Sequence, residues 1–309
     1  MLTVRSDHGG GPKHILSLLE SLHRRHQFLV AAPENGIYFR MFEGHCSDSF
    51  GVPHRQFSVI AFFRLCLFAR RHGVELIHSH GRGAGYYSRL LRLFLPGVKV
   101  IHTHHGFYYQ RLKGVKRNVL IMAEKIMSHL TDAYVFVSPS ESKAAASVDL
   151  YYPEKSFTIP NGVAAFPFVE RAFPFGMKKL IAVTRLETEK GNDILLRIVQ
   201  GLLRERSDFL LRIVGDGPER KNLENMACEL GILSHVEFLG TRNDVAELLS
   251  GSDIFVSASL GEAQGIAVVE AMMHGVPVVA SKVMGHVDIV EHENNGLLFD
   301  SDSAEEGAE

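Results

Sequence analysis

Glu262 and Glu270 stand eight positions apart in the run Ser257–Glu270, where a continuous apolar stretch gives way to a helical pattern. A carboxylate on such a loop, and another early in the helix, can accept hydrogen bonds from the vicinal hydroxyls of a sugar or ribose. Gly265 and Ile266 open that helix, so their backbone N–H groups favour negative charge. A solvated helix glutamate is the competing reading of Glu270, weakened by its apolar neighbours Ile266, Ala267, Val269, Ala271 and Met272. Upstream, the segment Ala182–Gly191 places Arg185 and Lys190 on a strand-to-helix loop. A planar guanidinium and a compact ammonium suit a diphosphate. Surface ion pairs with Glu187 or Glu189 account for the same residues equally well.

In the first half, Gly9, Gly10 and Gly11 precede Pro12 at the start of a helical pattern, a backbone that a phosphate can approach closely. The run lacks the spacing of a P-loop or of a dinucleotide fingerprint. His102, His104 and His105 end a buried strand pattern, and along a strand His102 and His104 point one way, Thr103 and His105 the other. His105, beside Gly106 where the chain leaves the strand, is the functional candidate, able to donate a hydrogen bond near neutral pH. A metal site built from this run with His78 and His80 is the alternative. No carboxylates with ligand spacing accompany the histidines, and the expectation is that no metal is bound.

The elements that must hold these residues read as alternating strands and helices. The strands are expected at Leu2–Arg5, Phe28–Ala32, Leu76–Ser79, Lys99–Thr103 and Tyr134–Ser138, then Lys179–Thr184, Phe209–Val214, Val236–Leu239, Ile254–Ala258 and Val276–Ala280. They are apolar without alternation, as strands covered on both faces are. Helix-length stretches between them, such as Pro12–His26, Val59–His72, Val115–Leu130, Asn192–Glu205, Glu219–Leu230 and Ile266–His274, imply two α/β, Rossmann-like, doubly wound parallel sheets. The expected domains are 1–163 and 177–300, joined by a proline-bearing linker at 164–176, with 301–309 as a disordered acidic tail. Ligands of such sheets bind at the carboxyl ends of the strands, where the unusual residues fall.

Composition narrows the classes further. The 309 residues are 46% apolar and 22% charged, with net charge −2, enough apolar mass for real cores. Three scattered cysteines, Cys46, Cys66 and Cys228, exclude a disulfide scaffold and a Cys-x-x-Cys zinc site. No apolar run reaches membrane-spanning length, and the first residues carry no signal-peptide pattern, so the expected setting is reducing and cytoplasmic. Residues 1–166 hold 20 Lys and Arg against 11 Asp and Glu, whereas residues 167–309 hold 13 against 24. A basic half suits phosphate groups or an anionic membrane face. No nucleic-acid motif accompanies the charge, so no nucleic-acid partner is expected.

Taken together, Gly9–Gly11, His102–Phe107, Ile159–Val163, Thr184–Gly191, Val214–Pro218 and the Glu262/Glu270 pair resemble, in order and spacing, the family 4 retaining glycosyltransferases of GT-B fold. The resemblance runs to Asn294–Phe299, and His102–Phe107 is similar to members that assemble bacterial surface polysaccharide. It implies a donor that is a nucleotide-diphosphate sugar, with UDP-sugar favoured, and a glycan or lipid-linked acceptor. It implies no cofactor beyond that co-substrate. Arg185 and Lys190 would neutralise the diphosphate leaving group, Glu270 would hold the ribose, and Glu262 would lie near the transferred sugar. Gly10 and Gly11 would admit phosphate and acceptor, and His105 would sit at the sugar. Val115–Leu130, with Lys113, Lys116, Arg117 and Lys125, would lie on an anionic membrane surface, placing the protein peripherally on the inner face of the plasma membrane. A packed helix with a basic rim is the alternative.

Two departures from the family pattern carry consequences. Glu262-Ala-Gln-Gly265 replaces the usual Glu-Gly-Phe-Gly, so Gln264 alters contacts to the donor sugar. Family members continue through further helices past Phe299, so the C-terminal end reads as truncated and apolar surface as exposed. Two other functions fit the same residues: a nucleotide-sugar epimerase or hydrolase, and a truncated nucleotide-sugar-binding module without turnover.

Overall fold

The computed structural model describes residues 1–107, 114–165 and 176–309. It divides into two units, Met1–Gly162 and Val163–Glu309. Most of the expected linker, and Lys113, lie outside the described residues.

Among the described residues the first unit is a parallel sheet of seven strands: β1 (Leu2–Thr3), β2 (Leu29–Ala32), β3 (Asp48–Gly51), β4 (Leu76–His80), β5 (Lys99–Thr103), β6 (Ala133–Phe136) and β7 (Ser156–Thr158). Their order is β3-β2-β1-β4-β5-β6-β7. Among the described residues six helices connect them: α1 (Gly10–Leu22), α2 (Ile37–Glu43), α3 (Val59–Arg71), α4 (Arg82–Phe94), α5 (Gly114–Ser128) and α6 (Pro139–Ala146). The second unit carries β8 (Lys178–Val183), β9 (Phe209–Val214), β10 (Val236–Gly240), β11 (Ile254–Ser257), β12 (Val278–Ser281) and β13 (Leu297–Phe299), in the order β10-β9-β8-β11-β12-β13. Its helices are α7 (Asn192–Leu202), α8 (Arg220–Glu229), α9 (Val245–Ser250) and α10 (Ile266–Met273).

In each unit the first strand is central and the chain winds outward in both directions from it. The reversal opens a crevice at the carboxyl ends of β1 and β4, and of β8 and β11. Both sheets are covered on two faces, which is why Ile181, Leu211, Ile213 and Phe255 are almost fully buried.

Several expected boundaries move for identifiable reasons. The strand foreseen at Val276–Ala280 begins instead at Val278, since Pro277 has no N–H to give the ladder. Helix α4 escapes sequence reading because Gly83 and Gly85 interrupt its pattern. A Cβ at Gly83 would lie 2.6 Å from Val4, and one at Gly85 would lie 2.6 Å from the His102 ring, so the glycines let the helix press against the sheet. The C-terminal residues 301–309, expected as a disordered tail, form turns whose Ala304 and Ala308 pack against the α7 side of the core. Small side chains among the acidic ones make that packing available. No described helix is long and apolar enough to cross a membrane.

Candidate active site

The two sheets each present one set of candidate residues, and each set is described within its own unit. In the second unit, β8 ends one residue before Thr184, and the loop carrying Arg185 and Lys190 follows. Thr184 N–H donates to Val214 O (2.9 Å) and Leu186 N–H to Asp216 O (3.0 Å), tying this loop to the one after β9. Gly215 sits at φ 133° with its Cα close to the Thr184 carbonyl, where a Cβ would come within 1.8 Å. Gly191 has φ 58°, and a Cβ there would meet Ala258 O at 2.0 Å. Only glycine allows these crossings of backbone.

Lys190 forms an ion pair with Glu262, on the loop after β11, and Ser259 Oγ donates to the same Glu262 oxygen at 3.0 Å. Burial pushes the Glu262 carboxyl up. The Lys190 ammonium, the nearby His286 ring and the Ser259 hydroxyl outweigh it and hold the carboxyl below its ordinary value. Arg185 pairs with Glu187 two residues on, as the ion-pair reading of the sequence has it, and its carbonyl accepts from Asn192 Nδ2 (3.0 Å). Gly265 caps α10 at φ 88°, Ile266 begins the helix, and Glu270 lies half-buried in its second turn. Lys190 and Glu262 are therefore in contact, and Arg185, Gly265, Ile266 and Glu270 share the carboxyl edge of the adjacent strands β8 and β11.

Sequence reasoning missed His286. It is fully buried, its Nδ1 lies 2.9 Å from Ser281 O, and its Nε2 has no hydrogen-bond partner among the described residues. That nitrogen faces Gly265, 3.1 Å from where a Cβ would stand. A lone histidine in an irregular stretch gives no periodic signal to find it by.

In the first unit, α1 begins at Gly10, two residues before the expected Pro12. A Cβ on Gly11 would meet nothing within 4 Å, so neither strain nor crowding within this chain accounts for that glycine. At the end of β5, the alternation of side chains holds. His102 and His104 pack inward, their ring centroids 4.6 Å apart, with His104 stacked on Tyr134 and Phe136. Thr103 Oγ1 lies 2.8 Å from His78 Nε2 on the opposite face.

His105 turns away from the strand at φ 55°, a left-handed conformation uncommon for a residue other than glycine. Its Nε2 lies 3.0 Å from His80 Nδ1. The following Gly106 N–H donates to Glu141 Oε1 (2.6 Å), and Val137 N–H to Glu141 Oε2 (2.7 Å). Glu141, in the first turn of α6, thus ties the His105 turn to the end of β6. Burial raises its carboxyl to about 7 against those two hydrogen bonds.

His14, which no spacing argument singled out, reaches the same place from α1. Its ring centroid is 5.1 Å from that of His105 and 5.6 Å from that of His80. Burial lowers His14 to about 4 and holds His80 and His105 well below the ordinary imidazole value, so all three are neutral at pH 7. The metal grouping weighed from sequence, His102–His105 with His78 and His80, does not form as such. His102 and His104 belong to the interior.

Comparison with known proteins gives the family of the chain. The Glycosyltransferase Family 4 model matches residues 8–165, and the Glycosyl transferases group 1 model matches residues 168–309. The chain belongs to glycosyltransferase family 4. Family members similar to it include an uncharacterized glycosyltransferase of Methanocaldococcus jannaschii, 38% identical over 274 residues, covering 80% of this chain and 69% of that one. Another is the UDP-Gal:alpha-D-GlcNAc-diphosphoundecaprenol alpha-1,3-galactosyltransferase of Escherichia coli, 25% identical over 258 residues, covering 79% and 66%. The first three curated relatives are spanned over 66%, 37% and 64% of their lengths. Among solved structures, Anabaena Alr3699/HepE in complex with UDP and glucose superposes with a TM-score of 0.83 at 21% identity, covering 99% of this chain and 87% of that one. Sucrose-phosphate synthase from Thermosynechococcus elongatus gives 0.79 at 20%, with the same coverage. These likenesses establish the GT-B class of fold for the family 4 chain.

Proposed function

We propose that this chain transfers a sugar from a nucleoside-diphosphate sugar, UDP-linked, to a lipid-linked or glycan acceptor in surface-polysaccharide assembly. It does so with retention at the anomeric carbon and without a metal. The observation that carries the reading is the cationic loop after β8. Lys190 is held by a carboxylate that a donor can also address, beside Arg185, at the switch point of a nucleotide-binding type of sheet.

In this reading Arg185 and Lys190 take up the charge that grows on the diphosphate as the glycosidic bond breaks. The departing phosphate oxygen receives the acceptor hydroxyl proton, so positioning and charge stabilisation supply the catalysis. Glu262, released from Lys190 by the phosphates, accepts from sugar hydroxyls, and Glu270 accepts from the ribose. His105 has a tautomer in which His80 Nδ1–H donates to its Nε2. Its own Nδ1–H is then available to a sugar hydroxyl. A UDP donor is supported by the fold neighbour solved with UDP and glucose, and a lipid-linked acceptor by the galactosyltransferase relative that acts on a diphosphoundecaprenol substrate.

The first unit offers the acceptor a cavity of about 820 Å³ past the ends of β2 and β3. Glu34, Asn35, His54, Ser58 and Arg64 supply its polar groups, and Ile60 an apolar edge. For a membrane-bound acceptor, α5 exposes Val115, Val119, Met122 and Ile126 on one helical face, alongside Lys116 and Arg117. Apolar residues at that spacing, open to solvent beside basic ones, fit an anionic bilayer better than a packed helix.

A thermal-shift screen against UDP, GDP, ADP and their sugars tests the donor. Incubation with the recognised donor, with and without an undecaprenyl-diphosphate sugar, then separates the functions. Product only with acceptor, its α-configuration read by NMR, supports the proposal. Product without acceptor indicates an epimerase or hydrolase, and binding without any product indicates a binding module.

A further inference from the structure

We infer that His14, His80 and His105 form a zinc site at the carboxyl edge of the first sheet. One ligand nitrogen from each lies within 4.8 Å of the others. The pair His80 Nδ1 and His105 Nε2 is already 3.0 Å apart, held by one shared proton. Ligands of tetrahedral zinc with Zn–N bonds of 2.0–2.1 Å are separated by about 3.3 Å, close to the separation of this pair. The three residues come from α1, β4 and the turn after β5, elements that the core and the Glu141 clamp fix in place.

Chemistry selects the ion. The grouping holds histidines only, without a carboxylate, which disfavours magnesium, calcium and manganese and suits zinc. Three protein ligands leave a fourth position for water or an anion.

A second consequence rests on the proposed transferase reading. A doubly charged ion bound to His105 opposes the positive charge that develops at the anomeric carbon, so zinc occupancy slows transfer and a chelator restores it. Binding itself does not depend on that reading.

The test uses the whole chain, stripped with a chelator and dialysed against Zn²⁺ at pH 7.5, with Co²⁺ as a spectroscopic substitute. One ion per chain and visible bands of four-coordinate cobalt are expected. His14→Gln and His80→Gln are each expected to weaken Zn²⁺ by at least about 100-fold, more than outer-sphere changes cause. His45→Gln removes one member of the more exposed His23–His45 pair, whose ring centroids are 5.2 Å apart, and is expected to leave binding intact. His14→Gln decides the matter if the His80 variant does not fold. Absence of stoichiometric binding, unchanged affinity in His14→Gln, or loss of binding in His45→Gln would overturn the assignment. No donor or acceptor enters these measurements, so they stand whether or not the transferase proposal does.

Discussion

Acidification from pH 7.5 to 5.5 should unfold the first unit before the second. His14, His80, His102 and His104 are buried there, with desolvation as the leading cause of their depressed pKa values. A histidine whose folded value is depressed contributes stability that is present above the unfolded value of 6.5. That stability is lost as pH falls, because the unfolded chain binds protons that the folded chain cannot. At pH 5.5 the four together cost roughly 6 kcal/mol. Glu141 acts in the opposite sense. Its carboxyl is raised to about 7, so its penalty at high pH is relieved on acidification by roughly 2 kcal/mol. A net loss of about 4 kcal/mol remains, a large share of the 5–15 kcal/mol of a typical domain. In the second unit His286 is the buried histidine among the described residues, so at most one such group opposes folding there on acidification. Peptide-resolved hydrogen exchange at the two pH values measures both units at once. Protection in residues 1–107 that falls by less than about 1 kcal/mol, or falls less than in residues 178–299, would refute the reasoning.

Other outcomes follow from single side chains. Gly11→Ala should leave the melting temperature unchanged or slightly raised, since a Cβ there meets open space and alanine favours helix. The same change should raise the donor KM or lower turnover. Normal kinetics would remove Gly11 from the site. Lys190→Ala and Glu270→Ala should each reduce kcat/KM for the sugar donor at least about tenfold, about 1.4 kcal/mol of transition-state binding, and near-normal values in both would reject the donor site. Salt-sensitive sedimentation with anionic liposomes should be lost on Val119→Glu with Met122→Glu, both exposed. If the wild-type chain does not bind at low salt, the membrane reading fails.

The sequence by itself determined the fold class and the positions of the strands that bury both faces. In Lys99–Thr103 and Phe209–Val214 apolar burial dictates the residue types, and the observed strands have those bounds. Edge strands such as Asp48–Gly51 were illegible, because an edge strand need not be apolar. Helix α4 was hidden by glycines whose purpose is close packing on a strand distant in sequence. That Arg185, Lys190 and Glu262 lie on loops after strands could be read from the sequence because strand ends in a parallel sheet share one edge. Which charges meet could not: Lys190 and Glu262 are 72 residues apart, and their pairing depends on β8 lying beside β11. The histidines make the same point more sharply. Periodicity separates His105 from its neighbours, but only the tertiary structure brings His14 and His80 to it. Three-dimensional adjacency at a switch point is set by strand order, and strand order leaves no local trace in the chain.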